Sequence, residues 1–243
     1  MNNNNIDMRI SGSGNIPSGE YSKISVSGVG HFIGRVRCDS LTSSGSIKGN
    51  DIECKEGFTV SGSSRFSGKI EAKNIKVSGS LNCEGDLIAR ESFISSGSVE
   101  CGKGAKCEHL TSSGSLKTSG DIEAEALKID GTVNCAGLIN AESIEINFDR
   151  GMSIGSIGGG KIAILPEKAL KAAKKLIPFP TLSRGVSVST SIEGDEITLE
   201  CVSCPKVTGR TVTIGQGCNI DLVQYSESIK ISPNATVGKV AKI

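Results

Sequence analysis

The chain has no Trp, two Tyr and six Phe among 243 residues. A globular core leans on aromatic rings for bulk, each burying roughly 150–250 Å². Their scarcity disfavours a compact multi-layer enzyme. Proline is also rare, at six, and the glycines lack a three-residue period, which excludes collagen. Charge of one sign is missing too: 27 Lys and Arg face 26 Asp and Glu, a net +1. That balance gives no reason to expect nucleic acid as a partner. With 37% apolar residues, wholesale disorder is disfavoured as well. No run of about 18 apolar residues occurs, so no membrane span is expected. The start Met1-Asn2-Asn3-Asn4-Asn5 lacks the basic and apolar regions of a secretory signal. A cytoplasmic location is the resulting expectation, with the nine cysteines as free thiols.

Glycine, in contrast, is abundant at 31 positions. Gly28, Gly45, Gly62, Gly79, Gly97, Gly114 and Gly131 follow Ser or Asp at intervals of 17, 17, 17, 18, 17 and 17. A 17-residue unit is too short for a helical-hairpin repeat, which needs about 33 residues or more. Inside the unit, apolar residues come in pairs spaced by two, the strand period. One repeat reads Ile75/Val77, Leu81/Cys83 and Leu87/Ala89; another reads Leu127/Ile129, Val133/Cys135 and Ile139/Ala141. Three short strands and three bends make a triangular rung. Rungs stacked about 4.8 Å apart hydrogen-bond to those above and below. The pattern therefore predicts an all-β fold, a parallel β-helix or solenoid with rungs of about 17 residues.

Equivalent positions should then form uniform columns. Ile24, Leu41, Phe58, Ile75, Phe93, Leu110, Leu127 and Ile144 make one apolar column, and Val36, Ile52, Ile70, Leu87, Ala105, Ile122 and Ile139 another. Lys48, Arg65, Asn82, Glu100, Lys117 and Asn134 occupy a position expected to face solvent. The Ser-Gly step falls at a rung corner, where glycine is expected to supply a positive φ. Cys38, Cys54 and Cys107 share an inward column with Ala72, Ala89, Ala124 and Ala141, and Cys83, Cys101 and Cys135 share another. These thiols are expected to act as small hydrophobes, not metal ligands.

Regularity fades after Ile146. Three segments are expected: a regular β-helix over 1–160, an insert over 161–185 and a less regular β-helix over 186–243. Within the insert, Pro166 suits a first helical position and Pro178 a stop. Leu170, Ala173 and Ile177 share one face, while Lys168, Lys171, Lys174 and Lys175 crowd the rest. A short basic amphipathic helix is predicted, either packed along the solenoid or touching a membrane surface or partner through Lys168, Leu170, Lys171, Lys174, Lys175 and Ile177. Strand pairs resume at Val186/Val188, Ile197/Leu199, Val212/Ile214, Cys218/Ile220 and Ile229/Ile231.

The candidates for chemistry are few. Cys201-Val-Ser-Cys204 is the lone CxxC; a structural zinc site needs a second ligand pair, and strand alternation sends these two thiols to opposite faces. His31 lies between inward positions and should point out, and His109 sits at a rung corner. Glu53, Glu71 and Glu123 form an outward row of ordinary solvated charges. Gly158-Gly-Gly-Lys161 lacks the upstream glycine and following Ser or Thr of a phosphate-binding loop. No catalytic, cofactor-binding or metal-binding residue is assigned, and no cofactor is expected.

The opening Ile10-Ser-Gly-Ser-Gly, with Gly19-Glu-Tyr21 and Ile24-Ser-Val-Ser-Gly-Val-Gly30, resembles the bactofilins, the polymer-forming cytoskeletal proteins of bacteria, and in particular their longer Gram-positive members. Ile192-Glu-Gly-Asp-Glu-Ile-Thr-Leu-Glu200 and Val212-Thr-Ile-Gly-Gln-Gly-Cys-Asn-Ile220 are similar to them also. The resemblance implies a right-handed β-helix that assembles into filaments without nucleotide, often beside the membrane. A membrane surface or envelope-associated proteins would then be partners besides the chain itself. The Cys201–Cys204 pair departs from the family, where polar residues are expected.

The function expected is therefore structural, a self-assembling scaffold and not an enzyme. A solenoid ends in rungs whose backbone N–H and C=O groups template further pairing unless capped. Ile6, Met8 and Ile10 at one end, and Ile229, Ile231 and Val237 at the other, are the candidate assembly residues. Two alternatives stand beside it. A hexapeptide-repeat acyltransferase needs strict six-residue sides and a catalytic His, and the recurrent five-residue sides here oppose it. A carbohydrate-binding β-helix needs acids, Arg or aromatics clustered for sugar, and aromatics are scarce.

Overall fold

A computed structural model of the chain describes residues 6–167 and 185–243. All regular structure among them is β-strand, and every strand pair is parallel. The chain divides into two units, Met1–Gly120 and Asp121–Ile243. Each is a parallel β-solenoid.

The first unit begins with β1 (Ile6–Ile10), β2 (Ser13–Val26), β3 (Val29–Ser43), β4 (Ser46–Gly49) and β5 (Ile52–Val60), and ends with β13 (Ser115–Thr118). A rung has three sides. In the rung starting at Ser46 they are Ser46–Gly49, then Ile52–Cys54, then Phe58–Val60. Each stacks in register on the next: Lys48 on Arg65, Ile52 on Ile70, Phe58 on Ile75 and Val60 on Val77. The inward residues of all three sides are almost fully buried; Ile47, Ile52, Phe58 and Val60 are 2% exposed or less. Alternation follows from the strand period, which puts residues two apart on one face. Three of the rings pack together in this unit. Phe66 packs against Phe58 and Phe32 with ring centroids 5.7 and 5.8 Å apart. Gly49 takes an inward position there, because a Cβ would lie 2.6 Å from that of Phe32.

The corner glycines serve a different need from the one expected. Gly28, Gly45, Gly62, Gly79, Gly97 and Gly114 all avoid the left-handed region. Their constraint is clearance between rungs: a Cβ on Gly79 would fall on the carbonyl oxygens of Gly62 and Ser61. Stacked corners approach so closely that any side chain would push rungs apart. The repeat that glycine marks is real, but stacking, not local φ, enforces it.

The second unit comprises β14 (Ile122–Ile129), β15 (Thr132–Phe148), β16 (Met152–Pro166), β17 (Val186–Val188), β18 (Ser191–Leu199), β19 (Val202–Ile214), β20 (Asn219–Ile231) and β21 (Thr236–Lys242). Its first sides stack as Cys135, Ile154, Val188, Cys204, Ile220 and Val237, with Val188 carried on from the Ser187–Ser203 pair. Its third sides stack as Ile146, Ile164, Leu199, Ile214 and Ile231. The expected insert therefore starts later than 161. Residues Lys161–Pro166 belong to β16, with Lys161 paired to Ser143 and Glu196 and Pro166 opposite Phe148. Pro166 does not open a helix. It ends a strand, where its missing N–H costs no ladder bond. The proposed helix residues Lys168, Leu170, Lys171, Lys174, Lys175 and Ile177 lie outside the described residues.

Candidate functional site

Among the described residues, the first strand of the first unit and the last strand of the second unit each stack on only part of the neighbouring rung. At the start, β1 lies under the third side of β2, with Met8 under Ile24, Arg9 under Ser25 and Ile10 under Val26, and reaches the end of the second side with Ile6 under Tyr21. Ile10 is buried, Met8 is half-buried and Ile6 is 66% exposed. At the other end, β21 covers only the first and second sides of β20, with Val237 over Ile220 and Val240 over Val223. Among the described residues nothing lies over the third side, Ser228–Ile231. Ile229 and Val237 are half-buried, while Ile231 is 41%, Val240 43% and Ile243 64% exposed. The structure thus brings Ile229, Ile231 and Val237 together on one terminal face and Ile6, Met8 and Ile10 on one terminal strand.

Sequence reasoning missed Val240 and Ile243. The signal was available, since Val240 follows Val223 by the same 17 positions that separate Val237 from Ile220. It also missed the two tyrosines. Tyr21 heads the column of Cys38 and Cys54, and Tyr225 follows Gly194 and Gly209 in the matching column of the second unit. Both rings therefore stand one strand in from an end of the described chain, at a position that holds Cys, Ala or Gly in the rungs stacked inward of them. Inside the stack such a ring would have no room. Tyr21 is buried, its hydroxyl donates to the Pro17 carbonyl at 2.9 Å, and its ring edge lies 3.6 Å from where a Cβ on Gly19 would be. The ring fills the space that Val36 and Ile52 occupy in the next rungs.

The remaining candidates carry structural roles. Cys38 and Cys54 stack with sulfurs 3.4 Å apart, fully inside. The neighbouring Cys38 thiol and burial push the Cys54 thiol well up. Burial alone raises Cys107 to about 12 and, foremost among several influences, Cys135 to about 11. Cys204 is buried, whereas Cys201 is half-exposed at a corner with φ 54°, in the left-handed region. Among the described residues no group of three or more His, Cys, Asp or Glu side chains is arranged to hold a metal. His31 is half-buried and His109 exposed. Glu53 takes hydrogen bonds from Arg35 and Arg37 at 3.2 and 3.1 Å, and Glu71 from Lys69 and Arg90 at 2.6 and 3.0 Å. A groove of about 370 Å³ in the second unit is lined by Glu142, Asp195, Asn140 and the glycines at 159, 160 and 194. No helix among the described residues is long and apolar enough to cross a membrane.

Residues 2–88 match the bactofilin family, described as polymer-forming cytoskeletal. The chain resembles the bactofilins. An uncharacterized protein of Bacillus subtilis (strain 168), YhbF, is 27% identical over 90 residues, which is 37% of this chain and 34% of that protein. The chain thus matches about a third of that relative's length. No solved structure matches it. The bactofilin match includes β1 and the first complete rungs, so one of the two terminal rungs lies inside it.

Proposed function

We propose that this protein is a cytoskeletal scaffold that polymerises through its terminal rungs without a nucleotide. The observation that carries the reading is the state of the last rung. The column that buries Ile164, Leu199 and Ile214 to 1% or less leaves Ile231 41% exposed. An apolar column cut open beside unpaired strand backbone is a template for another rung. A contact between different ends does not close on itself, so it generates filaments. The match to a polymer-forming family over residues 2–88 supports the same reading. The interaction is apolar and backbone-borne, so it tolerates salt and needs neither ATP nor GTP.

Negative-stain electron microscopy of the purified chain tests this. Filaments are expected without nucleotide and at high salt. Monomers alone across a wide range of protein concentration overturn the proposal. A cytoplasmic protein lying against a membrane is the cellular form of this reading, and the lysine-rich segment Lys168–Ile177 is its reason. Co-sedimentation with anionic vesicles should weaken when that segment is replaced by a neutral linker. Unchanged co-sedimentation removes the membrane from the reading.

A further inference from the structure

Two thiols inside the first unit stand where the ladder between rungs is interrupted. Cys38 and Cys54 hold in-register positions on adjacent rungs, and their buried sulfurs lie 3.4 Å apart. In-register partners on adjacent parallel strands stand about 4.8 Å apart, inside the range of about 4.4–6.8 Å between Cα atoms that a disulfide spans. The backbone already has the spacing of a cross-rung bond, and only the sulfurs need to close on one another. Beyond Glu53 the pairing with the following rung skips from Glu53–Glu71 to Gly57–Asn74. The carbonyls of Cys54 and Lys55 fall in that gap. Nη2 of Arg90, which belongs to the rung after that, donates to them at 2.9 and 2.8 Å.

We propose that Cys38 and Cys54 are a peroxide-sensitive pair, whose oxidation to a disulfide locks two rungs of the first unit together. One thiol, as its thiolate, attacks hydrogen peroxide and breaks the O–O bond. Its sulfur becomes a sulfenic acid, and the hydroxide released takes up a proton and leaves as water. The second thiol attacks that sulfur, and its proton and the sulfenic hydroxyl leave as a second water. The two sulfurs lose two electrons, which the peroxide takes up. In the closed stack the neighbouring Cys38 thiol and burial keep Cys54 protonated, so the first step waits on local opening. The ladder gap supplies it, because freeing the Cys54 segment from the rungs that follow breaks contacts to an arginine, 42% exposed, and not a run of strand bonds.

Cys83 and Cys101 provide the contrast. They too are in register on adjacent rungs. Their ladder is whole, however, with the Cys83 and Cys101 carbonyls accepting from the N–H groups of Gly102 and Ser119 at 2.7 and 3.2 Å. Their thiols donate to the Gly68 and Gly85 carbonyls, each at 3.3 Å, and a disulfide would forfeit those bonds. Substitution at Cys54 is mild, since Ala72 and Ala89 hold the equivalent buried position in the next two rungs.

The full chain carrying Cys201→Ser, which removes the half-exposed thiol, is incubated with hydrogen peroxide, blocked with a thiol reagent and digested for mass spectrometry. Peptides joined through Cys38 and Cys54 are expected ahead of any link between Cys83 and Cys101, and a thiol reductant should release them. The joined chain should unfold at a higher urea concentration than the reduced one. Arg90→Lys should speed the linkage several-fold, and Cys54→Ala should abolish it while leaving the circular dichroism spectrum unchanged. Cys38 and Cys54 recovered as free thiols, or Cys83 linked to Cys101 first, overturns the inference. So does a linkage rate that Arg90→Lys leaves unchanged. None of these outcomes depends on whether the chain polymerises.

Discussion

Ile231 stacks in register on Ile214, the same residue type in the same column, yet it is 41% exposed where Ile214 is 1% exposed. The difference lies in the next rung, not in the side chain or the strand. The same substitution should therefore have opposite consequences at the two positions. Ile231→Asp is expected to abolish filaments while leaving the circular dichroism spectrum and melting temperature nearly unchanged. Ile214→Asp should bury an unpaired carboxylate and destabilise the fold by several kcal/mol, on the order of the cost of an uncompensated buried polar group. If Ile231→Asp leaves filaments intact, the C-terminal face is not the assembly surface.

Corner glycines give a second prediction. Gly79→Ala should destabilise the first unit by roughly 1–3 kcal/mol, the range for overpacking. The added methyl would meet the carbonyls of Gly62 and Ser61. Gly57→Ala is the control, since a Cβ there meets nothing within 4 Å. Urea denaturation of both variants makes the comparison. Equal stability would show that rungs spread at no cost.

Arg90 ties three rungs together. Its guanidinium donates to the carbonyls of Cys54 and Lys55 at 2.9 and 2.8 Å and to Glu71 at 3.0 Å. Arg90→Lys keeps the charge but loses the planar fork that reaches all three acceptors. A loss of about 1–2 kcal/mol is expected, in line with charge-assisted hydrogen bonds at a partly exposed site. A Lys variant as stable as the original in chemical denaturation would remove the staple from the account.

Glu71 makes the same corner sensitive to acid. The hydrogen bond from Lys69, and after it Arg90, hold its carboxyl below the ordinary value despite partial burial. A depressed folded value means the stabilisation is fully present above the unfolded carboxylate pKa of about 4.3. It is lost as pH falls through the lower, folded value. Melting temperature should drop across that acid range, and Glu71→Gln should flatten part of the drop. A Gln variant with the parental pH profile would assign the acid sensitivity elsewhere.

Thiol reactivity offers a test of the interior. Of the nine cysteines, Cys201 is half-exposed and the other eight are buried. A thiol reagent on the native chain should label Cys201 rapidly and the rest only on unfolding, since burial pushes thiols such as Cys218, to about 11, away from the reactive thiolate. Rapid labelling of Cys107 or Cys135, whose thiols burial raises to about 12 and about 11, would mean that rungs open readily.

Much of this architecture was legible because a solenoid writes its tertiary contacts as a sequence period. The column Ile24, Leu41, Phe58, Ile75 could be aligned by eye, and strand pairing reproduces it residue for residue. Corner glycines were found for the right spacing and the wrong reason. Their clash is with a backbone 17 residues away, which no local dihedral rule reports. The expected insert boundary at 161 falls inside β16, where Lys161–Ile164 pair on both edges with Ser143–Ile146 and Glu196–Leu199, partners 18 and 35 positions away that local composition does not report.

The sequence by itself determined the strand period, the rung length and which residues face inward, since each depends only on spacing along the chain. Tertiary structure alone decided which sides of the terminal rungs are present. That depends on where Met8 lands under Ile24 in the first unit and Val240 over Val223 in the second, which the corners within each unit decide. A one-residue shift at a corner would turn the inward residues of the following strand outward.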